Sequence, residues 1–463
     1  MRSRPRNSAM AKIAIIGTGI AGLSASYHLN RYHDVTVYEK DSRVGGHTRT
    51  RLVNHGGRQI PVDTGFIVFN ERNYPNLTAL FRQLGVAVEK SDMSFALTVR
   101  NGWLEWSAQS INTIFGQRRN VLRPDFIRLF SHVAHFNANA IDAVESNPGV
   151  SLGELVRRMG LGDWFRWYYL LPMAGAIWSC PPRQMLSFPA ATFVRFFANH
   201  GLLSANGQPQ WHTVTGGAQS YIDKMTSAFS GRIRTKCAAV EVRRADGAVS
   251  VRDAQGNAER YDHVVLASHA DESLKLLCDA DDEERALLGA FGYQRNRMVL
   301  HKDPQFMPRR KHCWASWVYH SDGKGDDAAI TVSYWMNRLQ NIDRNYPLFV
   351  TLNPQRTIPD EHVFDEHEFM HPVFDEAAIA AQSRVQALQG RRNVWFCGAY
   401  LGYGFHEDGH VSGLVAANAL NAATGNPIHT ILPLPAHTPA PVRPRRRPIA
   451  PEAEPVLAFR GLD

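Results

Sequence analysis

The sequence predicts a fold of the α/β and α+β classes, in which a Rossmann-type dinucleotide-binding domain is joined to a substrate domain of mixed sheet and helix. A strand, a glycine-rich turn, a helix and a second strand follow one another within residues 12–39, which is how a parallel nucleotide-binding sheet begins. Strand-like segments return at residues 232–266 and 393–397, after stretches of different composition. The dinucleotide-binding domain is therefore predicted to be assembled from separated segments of the chain.

The first strand is predicted from the apolar run Lys-Ile-Ala-Ile-Ile, which begins at Lys12 and is closed by Gly17. A helical stretch that contains Leu23 and Leu29 follows it. The second strand, Asp-Val-Thr-Val-Tyr-Glu, ends at Glu39. Strand, helix and strand within thirty residues are typical of the parallel unit that binds a dinucleotide.

The turn after the first strand reads Gly17-Thr-Gly19-Ile-Ala-Gly22. The first glycine permits the tight turn, the second lets backbone approach a pyrophosphate, and the third allows close packing of helix on strand. The phosphates then lie at the helix N-terminus, where free N–H groups and the helix dipole favour anions. Glu39 is placed to accept hydrogen bonds from both ribose hydroxyls, and it would repel a 2′-phosphate. The predicted cofactor contacts here are Gly17, Gly19, Ile20, Ala21, Gly22 and Glu39.

Residues 81–207 have a different composition, rich in aromatic and helix-compatible segments. The most aromatic of them is Trp-Phe-Arg-Trp-Tyr-Tyr at residues 164–169. Such a run lines an apolar substrate tunnel, contacts lipid headgroups, or simply forms core. We keep the three interpretations open.

The rest of the chain is predicted to be mainly strands. A helix follows Gly216-Gly217, and residues 290–353 alternate in the manner of strands. The last strand, 393–397, leads through Gly398 into a helix that is predicted to begin near Gly409. Between the helix after Gly217 and residue 290, strands are predicted at residues 232–235, 239–242, 249–252 and 264–267, with turns at 246–247 and 255–257.

The composition excludes several classes of protein. Hydrophobic residues make up 44% and charged residues 20% of the 463 residues, as in a soluble globular enzyme. Of the net charge of +8, residues 1–12 contribute +4 and residues 431–463 contribute +2, so we expect no nucleic-acid-binding face on the body of the chain. The five cysteines include no Cys-x-x-Cys pair, which is typical of a reduced, cytoplasmic protein without a zinc knuckle. We expect no metal site, secretory signal or membrane-spanning helix.

The segment after Glu39 indicates which cofactor is bound. Arg43-Val-Gly45-Gly46-His47-Thr48, followed by Asp63-Thr64-Gly65-Phe66, resembles the "E-x-x-x-R-V-G-G-R-T … D-x-G" stretch of flavin-dependent amine oxidases, phytoene desaturases and protoporphyrinogen oxidases. In those families the stretch wraps the FAD diphosphate and approaches the isoalloxazine ring. The resemblance implies that FAD is bound by Lys40, Arg43, Gly45, Gly46, His47, Thr48, Thr64, Gly65 and Phe66.

The resemblance continues in two later segments. Phe396-Cys-Gly398-Ala-Tyr … Gly-Phe405-His-Glu407-Asp408-Gly409 is similar to the family's "F-A-G-E … G-Y-x-E-G", which closes over the ribityl chain and the flavin. Residues 235–241 are similar to the strand whose backbone reads adenine. Three segments in this order imply a glutathione-reductase-like FAD domain. The further contacts implied are Cys237, Ala238, Gly398, Phe405, Glu407, Asp408 and Gly409.

The sequence departs from this family where the amine oxidases bind their substrate. They hold the amine between two tyrosines, and Phe405 stands in place of the second. The amine oxidases also carry a lysine that bridges to the flavin, and the best alignment puts Arg297 at that position. Tyr400 stands in place of a family acid, and His47 stands in place of a family arginine. Cys397 lies in the last strand, whereas the flavin-linked cysteine of some relatives lies upstream. These differences disfavour simple amine oxidation and imply non-covalent FAD.

A narrower resemblance covers residues 11 to about 430. Its segments lie at residues 199–203, 211–217, 334–340, 351–354, 371–372 and 405–409. They look like a bacterial group of FAD/NAD-binding oxidoreductases that is similar to the flavoprotein half of plant cyclopropane fatty-acyl synthases. The resemblance implies a role near modified acyl chains of phospholipids, such as oxidation or desaturation, and an association with a lipid methyltransferase-type enzyme.

Several alternatives remain for the chemistry. Removal of hydride from carbon also needs a base for the second proton, or water. The candidates that the motifs place near the flavin are His406, Glu407 and His371, and each of them alternatively serves only to bind backbone groups. The substrate is predicted to be apolar and lipid-like, with an isoprenoid, a porphyrinogen or an amine as alternatives. A non-catalytic FAD-binding partner of a lipid-modifying enzyme is the alternative of a different class.

The segments predict the following organisation. The FAD-binding domain takes residues 11–80, 208–275 and 390–430, and the substrate domain takes residues 81–207 and 276–389. Residues 431–463 contain eight prolines together with Arg445-Arg446-Arg447 and are predicted to form a disordered tail. The arginines would keep such a tail soluble or, alternatively, favour an anionic membrane, so we predict a cytoplasmic protein, with peripheral contact to the inner membrane face as an alternative.

Overall fold

The structure, a computed structural model, describes residues 10–178, 182–204, 207–227, 231–321 and 331–433. Most of the predicted disordered tail, residues 434–463, lies outside the described residues. Of its three described residues, Leu432 is bound to the rest of the protein, because its N–H donates to Asn76 Oδ1 at 2.7 Å and its carbonyl accepts from Asn76 Nδ2 at 2.9 Å.

The strands of the described residues alternate with helices in the first part of the chain and dominate its middle. In chain order they are β1 (Lys12–Ile16), β2 (Asp34–Tyr38), β3 (Thr50–His55), β4 (Arg58–Asp63), β5 (Val68–Asn70), β6 (Val88–Ser91), β7 (Phe95–Val99), β8 (Leu104–Ser107), β9 (Trp211–Val214), β10 (Arg232–Arg234), β11 (Ala239–Ala245), β12 (Ala248–Asp253), β13 (Ala258–Tyr261), β14 (His263–Leu266), β15 (Gly292–His301), β16 (Trp317–Ser321), β17 (Thr331–Trp335), β18 (Phe349–Leu352), β19 (Val363–Val373) and β20 (Val394–Phe396).

The α-helices are concentrated between β8 and β9 and at the end of the chain. They are α1 (Ile20–Leu29), α2 (Pro75–Leu84), α3 (Ile111–Ile114), α4 (Pro124–Glu145), α5 (Leu152–Arg158), α6 (Asp163–Phe165), α7 (Leu171–Trp178), α8 (Pro182–Ser187), α9 (Ala190–Asn199), α10 (Gln219–Ser227), α11 (Ala270–Leu276), α12 (Asp282–Leu288), α13 (Met336–Leu339), α14 (Glu376–Arg384) and α15 (His406–Ala423).

A five-stranded parallel sheet in the order β10-β2-β1-β14-β20 carries the nucleotide-binding fold. Its strands come from three separated parts of the chain, as a parallel sheet with long crossover connections requires. The predicted Rossmann-type fold class is thereby confirmed. The exact domain boundaries stay a prediction, and β6 pairs with β9 across one of them.

Helices α1 and α15 pack closely on one face of this sheet, and glycines make the approach possible. A Cβ at Gly413 would lie 2.1 Å from the Ala21 carbonyl oxygen, and a Cβ at Gly409 would lie 2.7 Å from Ile20 Cγ2. The two helices therefore begin side by side, with Ile20 at one N-terminus and His406 at the other. Helix α15 begins three residues before the predicted Gly409.

A seven-stranded mixed sheet, β19-β15-β18-β17-β16-β7-β8, forms the base of the substrate domain. Strands β6, β7 and β8 were not predicted, because residues 81–207 read as helical. Strand β7 is buried along its whole length, so its sequence lacks the alternation of apolar and polar residues by which a half-buried strand is recognised.

Helices α4 to α9 cover this sheet and enclose the largest apolar core of the protein. The aromatic run at 164–169 belongs to it: Phe165, Tyr168 and Tyr169 are buried. This finding favours core among the three interpretations of that run. In the described part of the chain, no helix combines the length and the apolar character that crossing a membrane requires.

Candidate active site

The N-terminus of α1 is built to receive an anion. Gly17 adopts φ +106°, and a Cβ there would lie 3.0 Å from the Ala267 carbonyl oxygen, so glycine is needed for the turn. Gly19 precedes the helix without a side-chain cap, and the first turn of α1 contains no acid. The first N–H groups of a helix have no intrahelical partner. Together with the helix dipole, they attract phosphate oxygens.

Glu39 lies directly after β2 and faces the same turn. Its carboxylate accepts from the Thr18 N–H at 3.0 Å and from the Asp41 N–H at 2.8 Å, and the Thr18 hydroxyl also donates to it. The side chain is buried. These bonds hold a carboxylate beside Gly19, which is where a ribose attached to the phosphates would present its hydroxyls.

The segment with the second glycine pair crosses directly over the first. A Cβ at Gly46 would lie 2.9 Å from the Gly19 Cα, so the two backbones are in contact. Arg43 closes this loop by donating to the Thr48 carbonyl at 2.9 Å and to the Gly46 carbonyl at 2.6 Å. Gly45 and Gly46 both have positive φ. The structure therefore brings the two predicted FAD segments together.

The segment that is predicted to read adenine, residues 235–241, lies next to Glu39. The Cys237 N–H donates to the Glu39 carbonyl and the Lys236 N–H donates to the Asp41 carbonyl, both at 2.8 Å. Ala238 follows on the same extended segment. Lys40 instead points outward, to an exposed ion pair with Glu272 at 2.8 Å.

Thr64, Gly65 and Phe66 support the second glycine loop from behind. Phe66 N–H donates to the His47 carbonyl at 2.9 Å, and a Cβ at Gly65 would lie 1.9 Å from that same oxygen. The Thr64 hydroxyl donates to the Arg49 carbonyl at 3.0 Å. These residues therefore fix the position of the loop.

His406 is held in a buried network. Its Nε2 lies 2.6 Å from the Tyr221 hydroxyl and 3.3 Å from the Thr48 hydroxyl, and its ring stacks on Phe66 with centroids 3.9 Å apart. Burial, and then the proximity of His410, lowers the pKa of His406 to about 3. The ring is therefore neutral at physiological pH and serves to join α15 to the loop at Thr48.

Glu407 and Asp408 are bound by backbone groups. Glu407 accepts from the Asn76 N–H and the Leu77 N–H, both at 2.9 Å, and from Asn76 Nδ2 at 2.8 Å. It thus caps the N-terminus of α2. Asp408 accepts from the N–H groups of Tyr403 and Phe405 at 3.0 and 2.9 Å, which explains why α15 begins before Gly409. Burial raises the pKa of Glu407 and raises that of Asp408 to about 7.

His371 lies in a cluster of partly accessible rings. The centroid of His47 is 5.4 Å from that of His371, 4.9 Å from that of Phe369 and 6.3 Å from that of His269. Burial, and then His269, lowers the pKa of His371 to about 4. Burial, and then His371 and His269, also lowers the pKa of His47. The three imidazoles are therefore neutral and lie together beside the second glycine loop.

Asn296 was not identified from the sequence, yet it orients His371. Asn296 is fully buried on β15, and its Nδ2 donates to His371 Nδ1 at 2.8 Å, while its Oδ1 accepts from Asn353 Nδ2 at 2.7 Å. Since Nδ1 accepts this bond, the neutral ring carries its proton on Nε2. His371 can thus donate a hydrogen bond to a bound molecule, whereas it is poorly arranged to act as a base.

Arg297, which the sequence placed at the position of the family lysine, faces outward. It forms an exposed ion pair with Glu366 at 2.6 Å. Because side chains alternate along a strand, Asn296 one residue earlier points inward. A buried polar residue within an otherwise strand-like run was the signal that could have identified it.

Phe405 lies beside a small cavity of about 40 Å³. Its ring stacks on Phe196 at 5.1 Å between centroids, and the ring of His200 lies 3.9 Å from that of Phe196 and 5.9 Å from that of Phe405. Burial lowers the pKa of His200 to about 4, so this ring is also neutral. The cavity is lined by Asn73, Tyr74, Phe196, Asn199, His200, Tyr403, Phe405, Glu407 and Asp408.

Gly398 and Cys397 lie behind the start of α15. The Gly398 N–H donates to the Ser412 hydroxyl at 2.6 Å, and a Cβ at Gly398 would lie 2.3 Å from the Tyr400 ring. Cys397 is fully buried among apolar residues of β1, α1 and α15, and burial raises the pKa of its thiol to about 12. The inert position of this thiol supports non-covalent cofactor binding.

The described residues fit a flavin dinucleotide. The uncapped N-terminus of α1 suits the diphosphate, and no atom lies within 4 Å of a Cβ built at Gly19, so that backbone is open to a close approach. Glu39 suits a ribose, and Cys237-Ala238 lie beside it. The roles of the individual site residues stay predictions.

The chain is similar to known flavoproteins. The profile of the flavin-containing amine oxidoreductase family matches residues 20–347. Among solved structures, the CLA-producing fatty acid isomerase from P. acnes has a TM-score of 0.62 and 16% identity, over 89% of this chain and 98% of that one. A comparison with curated protein sequences gives no significant match.

Two further solved structures share the fold over nearly their whole length. A protein provisionally assigned as a protoporphyrinogen oxidase, from Exiguobacterium sp. 255-15, has a TM-score of 0.65 and 16% identity, over 90% of this chain and 100% of that one. Cyclohexylamine oxidase from Brevibacterium oxydans IH-35A has a TM-score of 0.61 and 15% identity, over 90% and 99%. At such identities, the likeness concerns the fold alone.

Proposed function

The chain belongs to the family of flavin-containing amine oxidoreductases and is an FAD-dependent oxidoreductase; from this premise we propose that its substrate is an apolar, lipid-like carbon skeleton and not an amine. The observation that carries the proposal is the surroundings of Phe405. Neutral rings form most of the cavity wall there, Asn73 and Asn199 add neutral amides, and the two carboxylates in the wall already accept hydrogen bonds from backbone N–H groups.

An amine substrate would need a different wall. An ammonium group that leaves water requires a carboxylate or several acceptors to compensate its lost hydration. Glu407 accepts hydrogen bonds that cap α2, and Asp408 Oδ2 accepts two at the start of α15, so moving either side chain would uncap a helix. Phe405 and Phe196 present only carbon to the cavity. Methylene groups, by contrast, gain free energy of transfer from water when they contact such rings.

One of the solved structures with this fold also points to a chain-like substrate. The fatty acid isomerase that shares the fold acts on an acyl compound, by its description. We therefore favour an acyl chain, such as a modified phospholipid chain, over an isoprenoid or a porphyrinogen.

The proposed reaction is the removal of two hydrogens from adjacent carbons. The substrate gives up one hydrogen with its bonding electrons and the other as a proton, and a C=C bond forms. When bound, FAD supplies the two-electron acceptor, and dioxygen or a quinone takes the electrons from it. His371 can donate from Nε2 to a molecule bound beside the second glycine loop, and water takes the proton, since His406 and Glu407 are engaged elsewhere. The cytoplasmic location and the association with a lipid methyltransferase-type enzyme stay predictions.

The test is the conversion of defined phospholipids, followed by mass spectrometry of their acyl chains. Phe405→Tyr places a hydroxyl in the apolar wall, which costs roughly 1–3 kcal/mol, so we expect kcat/KM for acyl lipids to fall about tenfold or more. Phe405→Leu keeps the wall apolar and is the matched control, with most of the activity retained. The FAD content of both variants is recorded, to separate a loss of cofactor from a loss of substrate binding.

The proposal is contradicted if lipids lose no hydrogens while an amine, such as putrescine, is oxidised. If neither class of compound is converted although FAD is bound, the non-catalytic partner becomes the better account.

A further inference from the structure

One end of the substrate domain carries a cluster of exposed apolar side chains. The exposed fractions are 76% for Ile111, 55% for Val121, 84% for Leu122 and 47% for Ile127. They are four of the ten large hydrophobic residues that are exposed in the described part of the chain. Exposed apolar residues are ordinary when scattered, but a cluster of them marks a surface that contacts something other than water.

Hydrogen bonds join the segments that carry these residues. The guanidinium of Arg118 donates to the side-chain oxygen of Asn112 at 2.7 Å and to the Phe115 carbonyl at 3.1 Å. This ties the turn that contains Val121 and Leu122 to the start of α3, where Ile111 lies. Ile127 is in the first turn of α4, directly after the turn. We call residues 111–128 the apolar-basic surface.

Three of the four arginines in this stretch have no carboxylate partner in the described part of the chain. Arg119 donates to the Trp103 carbonyl at 2.8 Å, and Arg123 lies over the Trp103 ring at 4.9 Å from its centroid. In the part of the chain that the structure describes, neither these two nor Arg118 forms an ion pair. Only Arg128 does, with Asp125 at 3.2 Å.

The cations are close enough to affect one another. Burial, and then the charges of Arg119 and Arg310, lowers the pKa of Arg123. Residues 111–128 contain four arginines and one aspartate, so the surface is positive throughout the physiological pH range.

We propose that the apolar-basic surface binds an anionic phospholipid membrane. Aliphatic side chains flanked by arginines match the interface of such a membrane. The aliphatic side chains enter the boundary of the acyl chains, and the arginines pair with the lipid phosphates. A protein partner fits less well: binding hot spots are enriched in Trp and Tyr, and the exposed apolar residues here are Ile, Val and Leu. The inference does not depend on the proposed function, although membrane binding would bring the protein to a lipid substrate.

The test is sedimentation of the full-length holoprotein with vesicles. We expect binding to vesicles that contain phosphatidylglycerol, and little binding to vesicles of phosphatidylcholine alone. Each arginine near such a surface contributes about a fivefold factor in affinity, so Arg118→Gln/Arg119→Gln should weaken binding roughly twentyfold. Val121→Ser/Leu122→Ser should weaken it at least about tenfold, since two inserted side chains are lost.

Two controls make the assignment specific. Leu52→Ser/Val240→Ser removes exposed apolar residues elsewhere and should leave vesicle binding unchanged. Arg445→Gln/Arg446→Gln/Arg447→Gln removes the basic run near the C-terminus, which lies outside the described residues, and should preserve the greater part of the binding. FAD content should be the same in all variants.

Three results would each overturn the inference: no binding of the parent protein to anionic vesicles, equal binding by the Val121/Leu122 variant, or loss of binding in the C-terminal arginine variant alone. A concentration-dependent dimer that the Val121/Leu122 change abolishes, without effect on vesicle binding, would assign the surface to self-association instead.

Discussion

A Gly19→Ala variant is expected to fold as the parent does but to retain little FAD. No atom lies within 4 Å of a Cβ at Gly19, and its φ of −62° suits alanine. The methyl group would instead occupy the space through which a phosphate reaches the N-terminus of α1. Losing one or two hydrogen bonds from N–H groups to a charged phosphate costs about 3 kcal/mol, or roughly a hundredfold in the FAD dissociation constant.

Gly22→Ala and Gly292→Ala are the variants with which Gly19→Ala is compared. A Cβ at Gly22 would lie 2.0 Å from the Gly17 carbonyl oxygen, which is backbone and cannot move aside. We expect that variant to lose both FAD and stability, by about 3 kcal/mol or more. Gly292 also has open space around it but lies on β15, so its variant should match the parent. Flavin fluorescence titration, which measures FAD affinity, and urea unfolding of the apoprotein, which measures stability, distinguish the three variants. Full FAD affinity in Gly19→Ala would contradict the assignment of the phosphate site.

Replacing Glu407 with glutamine is expected to destabilise the protein by roughly 3 kcal/mol, because hydrogen bonds to a charged acceptor are lost. The buried carboxylate accepts three hydrogen bonds at the start of α2. A glutamine amide nitrogen in place of one oxygen would face an N–H donor. Urea unfolding with a fixed excess of FAD measures the difference, since bound cofactor itself adds stability.

The matched control is Glu376→Gln, in the exposed first turn of α14, where a loss of a few tenths of a kcal/mol is expected. Should Glu407→Gln be as stable as the parent and yet inactive, Glu407 would have the catalytic role that its motif suggested, and the structural role described above would be wrong.

Much of the nucleotide-binding domain could be predicted from local sequence. The turn at Gly17 and Gly19 needs glycine for reasons of backbone conformation, and the apolar runs of β1 and β14 are typical of strands buried on both faces. The family, the cofactor and the enzyme class, all inferred from motifs, are confirmed by the profile match. Strand β7 was missed because full burial removes the alternation that marks a strand.

The candidate catalytic residues could not be judged from sequence. His406 and Glu407 lie beside flavin motifs, but their partners, Tyr221 and the N-terminus of α2, come from distant parts of the chain. Only the fold brings them together. Asn296 escaped notice for the same reason: its bond to His371 joins two strands that are 75 residues apart in sequence.

The most direct test of the central claim is anaerobic titration of the purified holoprotein, monitored by the long-wavelength absorbance band of oxidised flavin. We expect the protein to be purified with FAD, extracted bacterial phospholipids to abolish the band, and putrescine and cyclohexylamine to leave it unchanged. Loss of the band with an amine but not with any acyl lipid would contradict the proposed substrate class. A colourless protein that takes up no added FAD would contradict the whole account.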